Sequence, residues 1–212
     1  MMRVIVPIEN FNLNQDTRTL IPVYESGKVG FVDHDGFLVV TPKYDYYRGE
    51  FNTEDDFVVV AINYLYAYER KTTAPAAYSR PLYGLINSKG EEVIKTDYFS
   101  LVSPLKSSKL YSVQDRTGKY GVVDCNGNTI IPFGKYDYID GFYKGFARVK
   151  LVDADRDNKE SWGIINESDE IVIPIEYDNI WNFYNKSYVT LIKDASARSS
   201  KSILVDDLDL PF

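Results

Sequence analysis

The chain has 212 residues, and its 24 basic and 31 acidic side chains give a formal net charge of −7. A net negative charge disfavours nucleic acid and anionic membrane surfaces, so we expect neither as a partner. The one cysteine, Cys125, excludes an intramolecular disulfide, and no apolar stretch approaches the roughly 20 residues that cross a bilayer. The first apolar run is too short for a signal peptide, so we expect a cytoplasmic protein.

Aromatic residues make up 15% of the chain, with 18 tyrosines, and few segments show a helical period. Aromatic and β-branched residues favour strands. We therefore predict an all-β fold with almost no helix.

The N-terminal region contains two predicted strands, residues 4–8, which include Pro7, and residues 20–23. They correspond to the second and third strands of a motif that recurs four times further along the chain. The N-terminus therefore reads as a partial repeat, residues 1–27, that lacks its first strand.

Each copy of the motif begins with a glycine that follows an aromatic or apolar residue. Two apolar residues, an Asp or Asn, a turn, a second apolar strand and a third strand come next. We predict one domain, residues 1–212. Within it, the repeats occupy residues 28–81, 82–118, 119–160 and 161–195, and a terminal strand occupies residues 202–206. The four repeat glycines are Gly30, Gly84, Gly121 and Gly163.

The turn after each first strand has a recognisable composition. An Asp or Asn at its start can accept a hydrogen bond from the backbone two residues on. A glycine at its end supplies the positive φ that such a hairpin requires, and Asp169 takes this position in the fourth repeat. The glycines are Gly36, Gly90 and Gly127.

Prolines are predicted to end three of the second strands, because proline cannot donate to the strand ladder. They are Pro42, Pro132 and Pro174. A tyrosine follows each second strand, and we expect its ring to cover the bare backbone of a repeat glycine. The adjacent Asp or a turn amide would then bond its hydroxyl. These tyrosines are Tyr44, Tyr98, Tyr136 and Tyr177.

In the third strand of the third repeat, alternate residues should face opposite sides of the sheet. Arg148 and Lys150 share one side, which we expect to face water.

This pattern resembles the bacterial WG repeat family, whose unit runs from an aromatic-Gly pair through Asp, a Gly turn, Pro and Tyr-Asp to a final strand. Trp162 and Gly163 form the name-giving dipeptide, and residues 119–149 are the copy most like the family pattern. The resemblance implies tandem β repeats, often of unknown function, and it supplies no catalytic residues.

The two chain ends together supply the parts of one further repeat. We therefore predict about five three-stranded antiparallel units, closed like a propeller or barrel, with residues 203–205 pairing near residues 4–8. An open β solenoid is the alternative.

The insertion at residues 61–81 is the most distinctive departure from the repeat. Its alternating tyrosines would share one face of an extended hairpin, and Tyr and Arg are enriched among interface anchors. We predict that these residues bind a partner, together with aromatic residues expected in loops. The alternative is that the insertion covers the domain's own edge. The predicted binding residues are Tyr64, Tyr66, Tyr68 and Arg70 in the insertion, and Tyr46, Tyr47, Trp181 and Tyr184 in loops.

No catalytic residue, cofactor or metal site is predicted. Residues 153–160 contain alternating carboxylates but lack the glycine and glutamate of an EF-hand, so we expect a solvated hairpin tip. His34 and Cys125 lie in predicted turns, and the chain has no nucleophile elbow. The 31 acidic residues leave open a pair of carboxylates assembled across repeats.

Repeat scaffolds present extended surfaces that usually serve recognition. We therefore predict a non-enzymatic protein-interaction module that presents aromatic residues to a basic partner, for example as an immunity or inhibitor protein. A carbohydrate-binding or carbohydrate-processing protein is the first alternative, and a structural spacer is the second.

Overall fold

The structure is a computed structural model that describes residues 20–49, 57–63, 80–102, 108–155, 157–181, 188–193 and 200–204. Every regular element in these ranges is a β-strand, which confirms the all-β prediction. The same ranges contain no helix that is long and apolar enough to span a membrane.

The strands are numbered in chain order. They are β1 (Ile21–Glu25), β2 (Lys28–Val32), β3 (Leu38–Tyr44), β4 (Tyr46–Arg48), β5 (Phe57–Ile62), β6 (Leu82–Asn87), β7 (Glu92–Tyr98), β8 (Ser100–Val102), β9 (Leu110–Gln114), β10 (Tyr120–Asp124), β11 (Thr129–Ile131), β12 (Tyr138–Ile139), β13 (Phe146–Asp153), β14 (Lys159–Asn166), β15 (Ile171–Tyr177), β16 (Asn179–Trp181), β17 (Tyr188–Ile192) and β18 (Ser200–Leu204).

These strands form five small antiparallel sheets in two compact units of the chain. Unit 1 comprises residues 1–101 and 125–127, and unit 2 comprises residues 102–124 and 128–212. Unit 1 contains the sheets β1-β2-β3 and β4-β5-β6-β7. Unit 2 contains β12-β13-β14-β15 and β16-β17-β18, and the sheet β8-β9-β10-β11 belongs to it from Val102 onward.

The sheets are out of phase with the sequence repeats. We expected the third strand of each repeat to complete a sheet with its own first and second strands. Instead β5 pairs with β6 and β13 pairs with β14, so each third strand joins the glycine strand of the following repeat. The reason lies at the Tyr-Asp pair, where the chain turns out of one sheet and starts the next. There the N–H of Asp45 donates to the carbonyl of Ala61 in β5 at 2.8 Å.

A short strand that the sequence did not reveal follows each Tyr-Asp pair, and in the second repeat it follows Tyr98 and Phe99. It opens the three four-stranded sheets as β4, β8 and β12, and it opens the last described sheet as β16. The order within a complete sheet is therefore short strand, third strand, glycine strand and second strand.

The close approach predicted at the repeat glycines is confirmed, but the neighbouring group differs. A Cβ atom on Gly84 would lie 2.7 Å from both the carbonyl oxygen of Ile94 and the amide nitrogen of Thr96. On Gly163 it would lie 2.7 Å from the carbonyl oxygen of Ile173. At these two glycines the nearest atoms thus belong to the second strand, whereas at Gly121 they belong to the ring of Phe133, and at none of the three to a tyrosine ring.

A bulge in the second strand causes this approach. Tyr83 pairs with Tyr98 and Leu85 pairs with Ile94, so residues 95–97 lie opposite Gly84 alone. Extra residues on one strand bend its backbone toward the partner, and only a residue without a side chain leaves room for them.

The prediction that Pro42 and Pro174 end their strands was wrong. Pro42 lies inside β3 and Pro174 lies inside β15, so neither ends its strand. Both fall in the bulge, where no ladder bond is required of the backbone nitrogen and the missing N–H of proline costs little. Pro132 does follow the last residue of β11, as predicted.

The predicted turns are confirmed in detail. Asp33 Oδ1 accepts hydrogen bonds from the N–H groups of Asp35 at 3.0 Å and Phe37 at 2.8 Å. Asn166 repeats this arrangement with the N–H groups of Ser168 and Glu170. The residue at the end of each turn has a positive φ: Gly36 80°, Gly90 78°, Gly127 80° and Asp169 64°.

The core of unit 2 lies on both faces of the sheet β12-β13-β14-β15. Ile164 belongs to a cluster with Ile180 and Leu191, whereas the next residue, Ile165, belongs to a cluster with Val149 and Phe142. Because adjacent strand residues point to opposite faces, both faces of this sheet are buried. Such two-sided burial accounts for the consecutive apolar residues Ile164 and Ile165 in β14.

β18 (Ser200–Leu204) overlaps the predicted terminal strand at residues 202–206 and pairs with β17 from Tyr188↔Leu204 to Ile192↔Ser200, whereas the predicted bounds stay a prediction. Its pairing near residues 4–8 stays a prediction, since those residues lie outside the described ranges. The repeat boundaries and the closed ring stay predictions as well.

Replacing Gly84 by Ala should destabilise the protein more than replacing Gly121 by Ala. The new Cβ at Gly84 meets backbone atoms that cannot move independently, whereas at Gly121 the nearest atom is a ring carbon of Phe133 at 2.9 Å. We expect a loss of about 2–3 kcal/mol for Gly84→Ala and about 1 kcal/mol for Gly121→Ala, measured by denaturant unfolding. Equal losses would contradict the backbone origin of the constraint.

Candidate functional site

Five of the predicted binding residues lie outside the described ranges and stay predictions. They are Tyr64, Tyr66, Tyr68, Arg70 and Tyr184.

Tyr46 and Tyr47 were expected in an exposed loop, but they lie in the short strand β4 and are half-buried. Tyr46 pairs with Ala61 and Tyr47 pairs with Val60. Tyr47 also packs against the core of unit 1, with its ring edge-to-face to Phe31 at 5.8 Å between centroids. The strand pairing fixes these side chains, so Tyr47 serves the core.

Trp181 also lies in a short strand, β16, but its side chain is exposed. The residue retains 56% of its accessible surface. Its backbone is held on one side by pairing with Thr190. The preceding residue, Ile180, is buried, and its carbonyl accepts a hydrogen bond from Arg148 Nη1 at 2.6 Å. An exposed aromatic ring is therefore carried by a fixed strand.

Two of the repeat tyrosines are deeply buried, Tyr44 and Tyr136. Tyr136 Oη donates to Asp169 Oδ1 at 3.0 Å, so its partner is a turn carboxylate of the next repeat rather than the adjacent Asp137. Burial, and then the bond to Asp169, raise the pKa of Tyr136. Tyr98 and Tyr177 are half-buried at the ends of their strands.

A lysine precedes each of the two buried tyrosines and completes a contact with the next repeat. Lys135 pairs with Asp169 and lies 5.3 Å from the centroid of the Tyr136 ring. In unit 1, Lys43 lies 4.9 Å from the centroid of Tyr44 and 3.7 Å from Glu92. The pair with Asp169 raises the pKa of Lys135.

Four side chains form a row across the sheet β12-β13-β14-β15. Tyr138 lies opposite Lys150, Lys150 opposite Trp162, and Trp162 opposite Tyr177. Directly opposed residues share a face and their side chains contact. The row therefore consists of three aromatic rings and one cationic side chain, and it includes the tryptophan of the WG dipeptide. The same register in unit 1 aligns Tyr46, Ala61, Tyr83 and Tyr98.

Arg148 anchors this row to the interior. Its Nε pairs with Asp140 Oδ2 at 2.5 Å, and Tyr138 Oη donates to Asp140 Oδ1 at 2.7 Å. Its guanidinium carbon lies 5.3 Å from the centroid of Trp162. The side chains of Arg148 and Asp140 are only 20% and 8% exposed. The expectation that Arg148 faces water was therefore wrong, because Asp140, Trp162 and the carbonyl of Ile180 enclose it.

The aromatic rings of the row extend to a neighbouring sheet of the same unit. Tyr138 meets Trp162 at 5.8 Å and Tyr120 at 5.0 Å between centroids, both edge-to-face. Burial and the neighbouring Asp140 raise the pKa of Tyr138. Each charge in this cluster has an opposite charge or an aromatic face beside it. The arrangement thus suits rigid support of a surface rather than acid, base or nucleophile chemistry.

One pattern in the sequence could have predicted this row of side chains. An aromatic residue precedes three of the repeat glycines, and a tyrosine follows each second strand. In a hairpin whose bulge lies opposite the glycine, these two positions become cross-strand neighbours. The pair Arg148 and Asp140 has no equivalent in the other repeats and could not have been found in this way.

The remaining candidates lie in turns and at a hairpin tip. His34 lies in the turn that begins at Asp33, with its Nδ1 3.8 Å from an oxygen of Asp35. Cys125 lies in the turn between β10 and β11. Residues 153–160 include the tip of the β13–β14 hairpin, and Glu160 pairs with Lys150 at 2.7 Å. The described ranges contain no group of three or more side chains that could hold a metal.

The fold defines an all-β protein built from tandem repeats. A family described as WG containing repeat matches residues 30–66, 83–118, 120–152 and 162–190, which is more than half of the chain. The chain therefore belongs to the WG repeat family, which confirms the resemblance. No curated protein matches the chain.

Two solved structures are similar at 9% identity. One is a crystal structure of the eukaryotic initiation factor, with a TM-score of 0.44 over 84% of this chain and 45% of that chain. The other is the computationally designed Ika8 protein, with a TM-score of 0.39 over 88% of this chain and 58% of that chain. This chain therefore matches only 45% and 58% of the lengths of those two chains.

Separating Arg148 from Asp140 should cost far more than separating Lys150, on the same strand, from its more exposed partner Glu160. Arg148→Met leaves a buried carboxylate without its cation, and we expect a loss of about 3 kcal/mol in the free energy of unfolding. Lys150→Met is the matched control, because its partner Glu160 is 50% exposed and such pairs contribute up to about 1 kcal/mol. A double-mutant cycle with Asp140→Ala would measure the coupling. Coupling no larger than that of Lys150 and Glu160 would contradict the role given to Arg148.

Alkaline pH should unfold the protein together with ionisation of its buried tyrosines. The pKa values of Tyr44, Tyr136 and Tyr138 are raised above the model-compound value of 10.0. The folded state thus holds these protons more tightly than the unfolded state. The contribution of these tyrosines to the free energy of unfolding is fully present below pH 10, and it is lost as the pH rises through their pKa values in the folded state. Ultraviolet absorbance would follow tyrosine ionisation while circular dichroism follows unfolding. Ionisation of all tyrosines near pH 10 in a protein that is still folded would contradict the prediction.

Proposed function

We propose that this chain is a non-enzymatic protein-interaction module in which WG repeats hold aromatic side chains at the surface for a partner. The observation that supports this most directly is Trp181, a tryptophan that is 56% exposed on a strand whose neighbours are fixed.

A fixed aromatic anchor is what a recognition surface requires. Tryptophan is among the residues that contribute most to protein–protein affinity. Because β16 is held by β17 and by Arg148, little conformational freedom of its backbone remains to be lost on binding. Exposure of a large aromatic side chain on such a strand costs solvation free energy that a bound partner would recover.

The charge of the chain indicates the kind of partner. A net charge of −7 raises the association rate with a basic protein and lowers it with an acidic one. An immunity or inhibitor protein that neutralises a basic enzyme is one concrete form of this proposal. Tyr64, Tyr66, Tyr68 and Arg70 form a second candidate contact, on the insertion.

The test is quantitative recovery of partners on the immobilised full chain from a lysate of the source cells. Trp181→Ala should lower recovery of a specific partner about 30-fold, which corresponds to the roughly 2 kcal/mol of an interface anchor. Ile171→Ala is the matched control, because Ile171 is an apolar side chain of unit 2 that is 58% exposed. A chain with residues 64–80 replaced by a Gly-Ser loop tests the insertion separately.

Equal recovery by all four proteins would contradict the proposal. Recovery that rises with salt would contradict the charge argument, since binding to a basic partner should weaken as salt increases. A glycan array probed with the same proteins tests the carbohydrate alternative. Binding there that is lost in Trp181→Ala would favour that alternative, and no ligand in either assay would favour a spacer.

A further inference from the structure

One turn differs from the others of its type in a backbone hydrogen bond. Turns of this type begin with an Asp or Asn, and their fourth residue has a positive φ. In four of them the N–H of the fourth residue donates to the carbonyl of the first, at 2.9–3.1 Å. Their first residues are Asp33, Asn87, Asp115 and Asn166. In the turn from Asp124 to Gly127, the described residues show no such bond from Gly127. The backbone nitrogen of Gly127 is therefore not engaged in closing its turn.

The residue before Gly127 carries a group with which this nitrogen can react. Asn126 is the one asparagine of the sequence that precedes a glycine. The backbone nitrogen that follows an asparagine can attack the carbon of its side-chain amide and close a five-membered imide ring. A side chain on the following residue hinders that attack, and glycine has none. Asn126 and Gly127 are both exposed, so water can reach the ring.

We propose that Asn126 is a site of spontaneous modification, at which it is converted into aspartate and isoaspartate through a cyclic imide with Gly127. In the first step the Gly127 nitrogen bonds to the side-chain carbonyl carbon of Asn126 and loses its proton, and ammonia leaves. In the second step one water molecule opens the ring. Attack on the side-chain carbonyl gives aspartate, and attack on the main-chain carbonyl gives isoaspartate. The reaction needs water and no oxidant or cofactor.

The isoaspartate product changes the backbone of the turn as well as its charge. In isoaspartate the chain runs through the Cβ atom, which lengthens it by one carbon–carbon bond of about 1.5 Å. Gly127 is packed closely here, since a Cβ atom on it would lie 2.8 Å from the carbonyl oxygen of Val93, a residue of the same unit. Asp124 Oδ1 also spans the turn and accepts a hydrogen bond from the N–H of Asn128 at 2.8 Å. Isoaspartate therefore disturbs both contacts, whereas aspartate adds only a negative charge.

Other asparagines in turns of this type provide internal comparisons. Asn128 is also exposed, but its side-chain amide donates to the first residue of the turn at 2.9 Å, and the branched side chain of Thr129 follows it. Asn87 and Asn166 each begin a turn, and the side-chain oxygen of each accepts two backbone N–H bonds. These bonds hold their carboxamides in place. Asn126 should therefore react first.

Peptide mapping by mass spectrometry, during incubation of the intact folded protein at neutral pH, tests the site. Conversion of Asn126 should be at least about tenfold faster than that of Asn128, a difference of about 1.4 kcal/mol in activation free energy. Asn126→Gln is the control variant, because its longer side chain would have to close a larger ring, and it should not be converted in the same period. Equal rates at Asn126 and Asn128 would overturn the proposal, and so would conversion that occurs only in denaturant.

Hydroxylamine tests the intermediate independently, because it cleaves the chain at a cyclic imide. It should cut the folded protein between Asn126 and Gly127, which gives residues 1–126 and 127–212 as fragments, and it should leave Asn126→Gln intact. A wild-type chain that is not cut, or an equal cut in Asn126→Gln, would overturn the route through the imide.

Thermal unfolding separates the effects of the two products. Asn126→Asp carries the added charge on a normal backbone, and its melting temperature should match that of the unmodified protein within about 1 °C. Protein that contains isoaspartate, separated by chromatography after incubation, should melt about 2–4 °C lower, the shift expected for the loss of one favourable contact in a chain of this size. Equal melting temperatures for the two would overturn the effect on the turn.

Discussion

The architecture depends on one steric constraint, the contact between a repeat glycine and the backbone of the neighbouring second strand. At Gly84 and Gly163 the carbonyl of the opposite strand lies where a Cβ would be. This contact exists because the second strand bulges, and the bulge in turn accommodates proline at two positions. The glycine, the proline and the tyrosine of the motif are thus parts of one local geometry rather than three separate preferences. Tyrosine ends the bulge by pairing with the residue before the glycine, which is Trp162 in the fourth repeat.

Successive repeats are joined by polar contacts as well as by strand pairing. Tyr136 and Lys135 reach the turn carboxylate of Asp169, 33 and 34 residues further along the chain. Lys43 reaches Glu92 in a comparable way. Arg148 makes a third kind of connection, because it bonds Asp140 near β12 and the carbonyl of Ile180 in β16. These bonds fix the strand that carries Trp181, so the interior of unit 2 determines the placement of its exposed aromatic side chain.

Local features were predictable from the sequence, and features that depend on pairing between distant strands were not. The turns were predicted residue by residue, because Asp33 and Asn166 bond the backbone within four positions of themselves. The crowding at the glycines was foreseen, but the crowding group was not, since a bulge depends on the register of two strands. The prediction of which strands share a sheet was wrong, because nothing in a repeated motif marks where one sheet ends and the next begins. For the candidate site, Trp181 is exposed as expected and its binding role stays a prediction, but its strand and the support from Arg148 were not foreseen. Tyr47 was misjudged, because its burial comes from contact with Phe31.

The turns also determine which positions are free to change. In each one the conformation is set by the first residue, whose side chain bonds the backbone, and by the last, whose φ is positive. In the first turn the N–H groups of Asp35 and Phe37 are bonded by Asp33, so these bonds do not depend on the side chain of His34. Evolution could therefore rewrite these tips independently of one another, and an engineer could graft short peptide epitopes there with little effect on folding. A family built this way can diversify its turns while its strands are kept.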